Sequence, residues 1–372
     1  MLHEFVKWGA VTENEGGAYH MQVTVSESRR SRLCEEEAAL NDIIGIVMLL
    51  AMVVIVLSIV VTIIQPYVKD FDDNKSWSQS RVMADQIDER VRIVGASPNA
   101  TGSVLSFDLG STSFRELDSA EVWTISADVY ALDVVEVALS SFNSVSVTAL
   151  NGTAKTARVD NGGNVTTHTL TFVNGSAEVD FVNSIARFLS VELLDEDANV
   201  IHKYFRIELS GIRLHTAMTT GVYYIDLVNG AWMERLLGQP YTIDRYPSLR
   251  HQERTDGAHQ VSLVLVDTDL LIRGGSDSSM KLEMVSNGPL SLFDGAVRNL
   301  HMIINNDIDV SMEERYLQRW TEDYNLNMAA GTLENFIGFG PWKRASGIDG
   351  LGVYPSDTTV MAEIVLHGVV VT

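Results

Sequence analysis

His251 and His259, with Asp256 between them in the loop RYPSLRHQERTDGAH, are the densest set of side chains in the chain that could ligate a metal. A closed zinc site needs four such ligands and an open one three, so an isolated histidine pair in a polar loop reads as solvated. Asp70, Asp72 and Asn74, and again Asn305, Asp307 and Asp309, alternate side-chain oxygens as a calcium loop does. Lys75 and Arg81, or Val310 and Tyr316, stand where such a loop needs its turn glycine and its closing glutamate. GxSxG, HExxH, GxGxxG and the Walker phosphate loop are all absent, and Cys34 is the only cysteine. The sequence therefore offers no catalytic residue, no metal site and no cofactor site, and it excludes an internal disulfide framework.

The remaining chemistry-bearing pattern is Asn-x-Ser/Thr, the acceptor of N-linked glycans. It occurs at Asn74, Asn99, Asn151, Asn164 and Asn174. Asn151 and Asn174 are each followed by Gly, a pair that favours tight turns in which the side chain points to water. At least one of the five is expected to carry sugar. Transfer occurs outside the cytoplasm, so all five belong to an exported region.

What positions that region is a membrane helix. The stretch IIGIVMLLAMVVIVLSIVVTII, from Ile43 to Ile64, has no charge, and about 20 apolar residues cross a hydrocarbon core. A soluble core helix would show a polar face. Arginines 29, 30 and 32 precede the span, and Lys69, Lys75 and Arg81 follow it, so flanking charge leaves the orientation to the sequons. Residues 1–42, with Glu35, Glu36 and Glu37, read as a mobile cytoplasmic leader. The chain holds 49 Asp and Glu against 27 Lys and Arg, a net charge of −22, which excludes a nucleic-acid partner. At 46% hydrophobic residues it can still build a core.

After the span, Pro66 is expected to kink or break the helix. Val82, Met83, Ile87, Val91 and Val94 then recur at helical spacing until Gly95 and Pro98, which predicts an amphipathic extension over 65–95. From Ala96 the period becomes two. Residues 105, 107 and 109 alternate, then 123 to 129, 145 to 149, 189 to 193, and 205 to 209. Asn-Gly pairs at 151, 161, 174, 229 and 287 supply turns. THTLTFV-NG-SAEVDFV is the best hairpin, with Leu170 and Phe172 facing the side of Val179 and Phe181. Ser311 and Glu314 form a capping box ahead of Tyr316, Leu317, Trp320 and Tyr324, which predicts a helix over 311–324 laid on a sheet. The exported part is thus mainly antiparallel β and sandwich-like, with one packed helix. It divides into 96–215 and either a second β domain or a continuation over 216–372, with a seam near Leu214 to Gly221. A fragment from Ala96 onward is expected to be stable and mainly β.

Around the start of the span, Asn41-Asp42 followed by Ile43-Ile44-Gly45 and the apolar run resembles the N-terminal segment of archaeal type IV pilin-like proteins. The layout of leader, helix, extension and exported β region is similar too. The resemblance implies a prepilin peptidase as one partner, cutting between Ala39 and Leu40, although Glu37 stands where the family has a basic residue. It also implies other pilin-like subunits as partners. Ala51, Ser58 and Thr62 share one face of the span at offsets of seven and four, and with Gly45 they are candidates for close helix packing. High acidity suits a surface protein in salty water, where carboxylates keep it soluble. The expected function is a structural subunit of a cell-surface filament, its size favouring a minor, tip or adhesive role. The alternative is a permanently anchored, monomeric surface protein that binds a ligand or partner.

Overall fold

The computed structural model describes residues 28–129, 135–149, 152–253, 259–271, 279–309, 312, 315–316, 319–320, 351–352 and 359–372. Contacts divide the chain into two compact units, one ending at Val68 and the other running from Lys69 to Thr372. Helix α1 spans Ser28–Gly95 and continues through Pro66, so of the kink or break expected there the break does not occur. A proline removes one donor from a helix, and a long helix tolerates one lost bond.

Among the described residues seventeen strands follow. They are β1 (Gly102–Asp108), β2 (Thr112–Asp128), β3 (Val135–Ser141), β4 (Ser144–Ala149), β5 (Thr156–Asn161) and β6 (Asn164–Thr169). Next come β7 (Ser176–Asp180), β8 (Phe188–Leu194), β9 (Val200–Met218), β10 (Gly221–Val228), β11 (Ala231–Arg235) and β12 (Thr242–Arg245). The last are β13 (Ser248–Glu253), β14 (His259–Leu270), β15 (Ser279–Asn306), β16 (Leu351–Gly352) and β17 (Val360–Val371).

Fourteen strands form one sheet along the path β12-β11-β10-β9-β2-β15-β17-β14-β13, with β1 and β16 on β15, and β8, β5 and β6 branching from β9. β3, β4 and β7 form a second sheet. Pairing is antiparallel except between β14 and β17. The two ends of the path, β12 and β13, are separated in the chain only by Tyr246 and Pro247. That link reaches about 10 Å, so the sheet must roll until its ends nearly meet. One apolar cluster draws on both ends of the roll: Ala231 and Ile243 from β11 and β12, Leu249 and Val261 from β13 and β14, around Trp123, Phe205 and Phe293. Of the helix expected over 311–324, Met312, Tyr316 and Trp320 are helical and buried, with Trp320 6.1 Å from Trp123 between ring centres. Ser311, Glu314, Leu317 and Tyr324 lie outside the described residues.

Several local expectations are corrected by tertiary pairing. Asn174-Gly175 does turn, with φ of 54° and 84°, but β6 pairs β5 while β7 pairs β4 in the other sheet. The chain crosses between sheets there, and Leu170, Phe172, Val179 and Phe181 still share one core. At the β5–β6 hairpin the central residues are Gly162 and Gly163, both with positive φ. Asn161 is held in the strand, where its side chain accepts from the Ala186 amide and donates to the Ser184 carbonyl. Asn287-Gly288 is a bulge inside β15 rather than a hairpin. The stretch expected as a seam is the β9–β10 hairpin, Met218 pairing with Gly221, so the strands on either side share one sheet.

Candidate functional site

The first unit presents one helix long and apolar enough to cross a membrane. Its large apolar residues from Ile43 to Ile64 are 42–71% exposed, an apolar surface of the length that crosses a hydrocarbon core. The Ser58 hydroxyl donates to the Val54 carbonyl at 2.7 Å and Thr62 to that of Ser58 at 2.8 Å. Both hydroxyls are therefore satisfied within their own helix and need no partner in a bilayer. Ala51 lies on their face. Gly45, at about 100° per residue, lies well off it, with open space around its α-carbon. Ala39 and Leu40 are helical.

From Asp73 onward the helix is built into the β unit. Asp73 accepts from the Thr219 amide at 2.9 Å, Trp77 stands edge-on to Tyr223, and Gln79 donates to the Asp108 carbonyl. Ser80, Thr112 and Thr216 join hydroxyls in a buried trio. Met83, Ala84, Ile87, Val91 and Val94 enter a core with Ile212, Leu214, Ile225, Leu227, Val266, Met284 and Val369. Val82, expected on this face, is 56% exposed; at about 100° per residue it stands opposite Val91, while Ala84 falls in line with Ile87 and Val91 and takes the inward position. Gly95 ends the helix, where an added methyl would meet His367 at 3.1 Å and Val369 at 3.2 Å.

Ion pairs fix the register of this docking. Arg81 reaches Glu234 and Asp244, each at 2.7 Å. Asp88, 4% exposed, takes Arg92 on its own helix and Arg245 from β12. Burial raises the Asp88 carboxyl above its ordinary range, and the two guanidiniums oppose that shift. Without them the charge would be stranded.

Deeper in the β unit, Glu121 is fully buried and receives Trp123 Nε1 at 2.9 Å, Asn306 Nδ2 at 3.0 Å and Asn229 Nδ2 at 3.1 Å. Burial pushes its pKa up; the Tyr316 hydroxyl, which donates to Met233 Sδ, is pushed well above its usual value, by burial first and by the nearby carboxylate second. Asn229 Oδ1 accepts from the Val266 amide, so this hub ties the β10–β11 turn to β14 just beyond the end of β13. Asp128 accepts from His202 and Asn299, joining β2, β9 and β15.

Arg187 clamps the same edge of β14, donating to Asp267, Asp269 and the Ser210 hydroxyl. Burial raises Asp267 to about 6, with Asp269 and Glu116 adding repulsion and Arg187 opposing it. A carboxyl whose folded pKa stands above its unfolded 3.8 binds its proton more tightly in the fold, so this site adds stability as pH falls through 6 and loses it as pH rises. Chemical unfolding at pH 4 and pH 8 should show a pH-dependent difference of up to about 3 kcal/mol between the native protein and Asp267→Asn. An identical pH profile for both would remove Asp267 as the titrating group.

Among the described sequons, Asn74 on the helix, Asn99 in a turn, Asn164 at the start of β6 and Asn174 in its turn are all exposed. Asn151 lies outside the described residues, as does Asp256. His251 and His259 stack with ring centres 5.5 Å apart, and burial lowers the His251 imidazole to about 4. Asp70, Asp72 and Asn74 stand on a helix rather than a loop. The second calcium-like stretch is folded over Asn306, whose Oδ1 accepts from the Ile308 and Asp309 amides. Among the described residues no three His, Cys, Asp or Glu side chains converge as metal ligands. The residues that organise the docking and the sheet edge, Asp88 and Arg245 for the first and Glu121 and Arg187 for the second, had no signal in the sequence beyond being polar within apolar patterns. No family model, curated protein or solved structure matches the chain.

Proposed function

We propose that this chain is a pilin-like structural subunit of an archaeal cell-surface filament, membrane-anchored before assembly and of the minor, tip or adhesive kind. One observation carries the reading. The first part of α1 is bare and apolar, while the last part of the same helix is core to a large β unit. A subunit that packs by its helix and displays its β unit needs that division. In this reading the outer unit, sandwich-like where β3, β4 and β7 share a core with β5 and β8, faces away from the filament axis, and the exposed sequons carry its glycans. A permanently anchored monomer is favoured by a different observation, the hydroxyls of Ser58 and Thr62 satisfied within their own helix.

Mass spectrometry of protein from its native membrane separates the two. The subunit reading expects a mature N-terminus at Leu40 and, in an Ala51→Cys, Cys34→Ser variant, disulfide-linked dimers of copies. An intact leader with monomers alone would establish the anchored reading instead.

A further inference from the structure

We propose that the outer face of β13, β14 and β17 is a binding groove for an acidic oligosaccharide, with Arg92 and Arg245 at one end to take a sugar carboxylate. The site lies wholly within the unit that runs from Lys69 to Thr372. It goes beyond the subunit reading and holds for an assembled or an anchored chain alike.

Strand alternation builds the floor. Leu249, Val261, Leu263 and Ile364 belong to the core, so the residues between them face the other way. These stand in rungs across the strands: Gln252 opposite Gln260, then Arg250, Ser262 and Glu363, then Ser248, Val264 and Val365. A cavity of about 360 Å³ lies over the rungs. A second of the same volume shares Ser248 and Val264 with it and runs on past His367 to Gly230, Arg92 and Arg245. From Gln260 to Val266 the pair follows β14 for about 20 Å, a length that suits an extended oligomer rather than one small ion.

The charge of this groove is the reverse of the chain's. Acids outnumber bases by 49 to 27 overall, yet the charged residues on the two cavities are three arginines, 92, 245 and 250, and one glutamate, Glu363. The glutamate is already engaged by the Ser262 hydroxyl at 3.1 Å. Arg92 and Arg245 both donate to one oxygen of Asp88, Oδ2, which is buried beneath them. One carboxylate therefore holds two guanidiniums together. Asp85, whose side chain is 66% exposed, only approaches Arg245, at 3.8 Å. Arg92 meets Asp88 through Nε, so its paired terminal nitrogens remain for a planar carboxylate, in the fork geometry a guanidinium favours. A singly charged group balances the excess at this end; a dianionic phosphate exceeds it.

Neutral groups supply the rest. Ser248, Ser262, Gln252 and Gln260 both donate and accept, as sugar hydroxyls do. Burial lowers the His367 imidazole, which keeps it uncharged at neutral pH. Gly230, in the β10–β11 turn, has open space where a side chain would stand, so its backbone is within a ligand's reach. An extended acidic peptide would be held by backbone pairing along a free strand edge, whereas this groove lies on a sheet face and offers side chains.

The test is calorimetric titration of the full chain, in a zwitterionic detergent, with tri-galacturonate. Saturable binding is expected. Arg92→Gln, which leaves Arg245 on Asp88, should weaken it by about tenfold. Ser262→Tyr, which fills the middle rung without touching an arginine, should weaken it as much and keeps the comparison sound if Arg92→Gln loosens the helix. Arg158→Gln, on β5, should bind as the native chain does. Equally tight binding of the neutral trisaccharide maltotriose would remove the carboxylate's role and overturn the proposal. Equal binding of hexaglutamate or inorganic phosphate would show that charge alone is read, which also overturns it. So does tri-galacturonate that fails to bind, or that binds native chain and variants alike. None of these outcomes depends on the mature N-terminus, so the subunit reading is decided separately.

Discussion

A fragment beginning at Lys69 will unfold cooperatively, and one beginning at Ala96 will not. The shorter piece keeps every strand, and the alternating pattern alone predicts that it is stable. It loses Met83, Ala84, Ile87, Val91 and Val94 from a core they share with β9, β10, β14, β15 and β17. Burying each of the larger ones contributes about 1.5–3 kcal/mol, and their sum is comparable to the whole stability of a domain, about 5–15 kcal/mol. Removing the helix also exposes Ile212, Leu214, Ile225 and Met284 to water and takes away Ser80, whose hydroxyl joins those of Thr112 and Thr216. Thermal melts followed by circular dichroism, with binding of a hydrophobic dye, would show a sharp transition for the fragment from Lys69 and a dye-binding, aggregating product for the fragment from Ala96. Within the longer fragment, Ile87→Ala is expected to cost about 2–5 kcal/mol. Equal melting of the two fragments would mean that the helix only leans on the sheet.

Replacing Glu121 by alanine is expected to be the most damaging polar substitution in the β unit, at about 3–5 kcal/mol. The carboxylate is the common acceptor of Trp123, Asn229 and Asn306. Its loss leaves three buried donors unpaired, and each unsatisfied group costs about 1–3 kcal/mol. The Asn229 side chain also caps the Val266 amide, so loosening it frees the edge of β14 at the point where the rolled sheet passes from β13 to the β10–β11 turn. Glu121→Gln retains the volume and one acceptor and should recover part of the loss. Denaturant midpoints of the three proteins check this ordering; an alanine variant within about 0.5 kcal/mol of native would show that water replaces the carboxylate.

Some of this architecture is legible in local pattern because its cause is local. The charge-free run from Ile43 to Ile64 reads as a span in any context, since no fold is needed to make it apolar. The inward alternation at Trp123, Ile125 and Ala127, or at Leu189, Val191 and Leu193, reads as strand because a pleat sends successive side chains to opposite faces. Tyr316 and Trp320 sit one turn apart and are buried together for the same kind of reason.

Other features exist only once distant residues meet. Whether Asn174-Gly175 joins one hairpin or two sheets depends on β4 and β5 offering their edges to β7 and β6, with Ser144 meeting Asp180 from far along the chain. Val82 and Ala84 differ in hydrophobicity in the direction opposite to their burial, because the side of the helix that the sheet meets, shared by Ala84, Ile87 and Val91, decides which side chain is covered. Glu121 looks like one more acid among 49 Asp and Glu; donors from β2 itself, from the β10–β11 turn and from the end of β15 make it a hub. The amino-acid sequence by itself determined a membrane-length helix, an amphipathic continuation and a β-rich remainder, since periodicity and length are properties of a few neighbouring residues. Tertiary structure alone decided that the sheet rolls, that the continuation is part of its core and that polar groups seal the edge, because these depend on pairing energies between strands that the chain brings together from far apart.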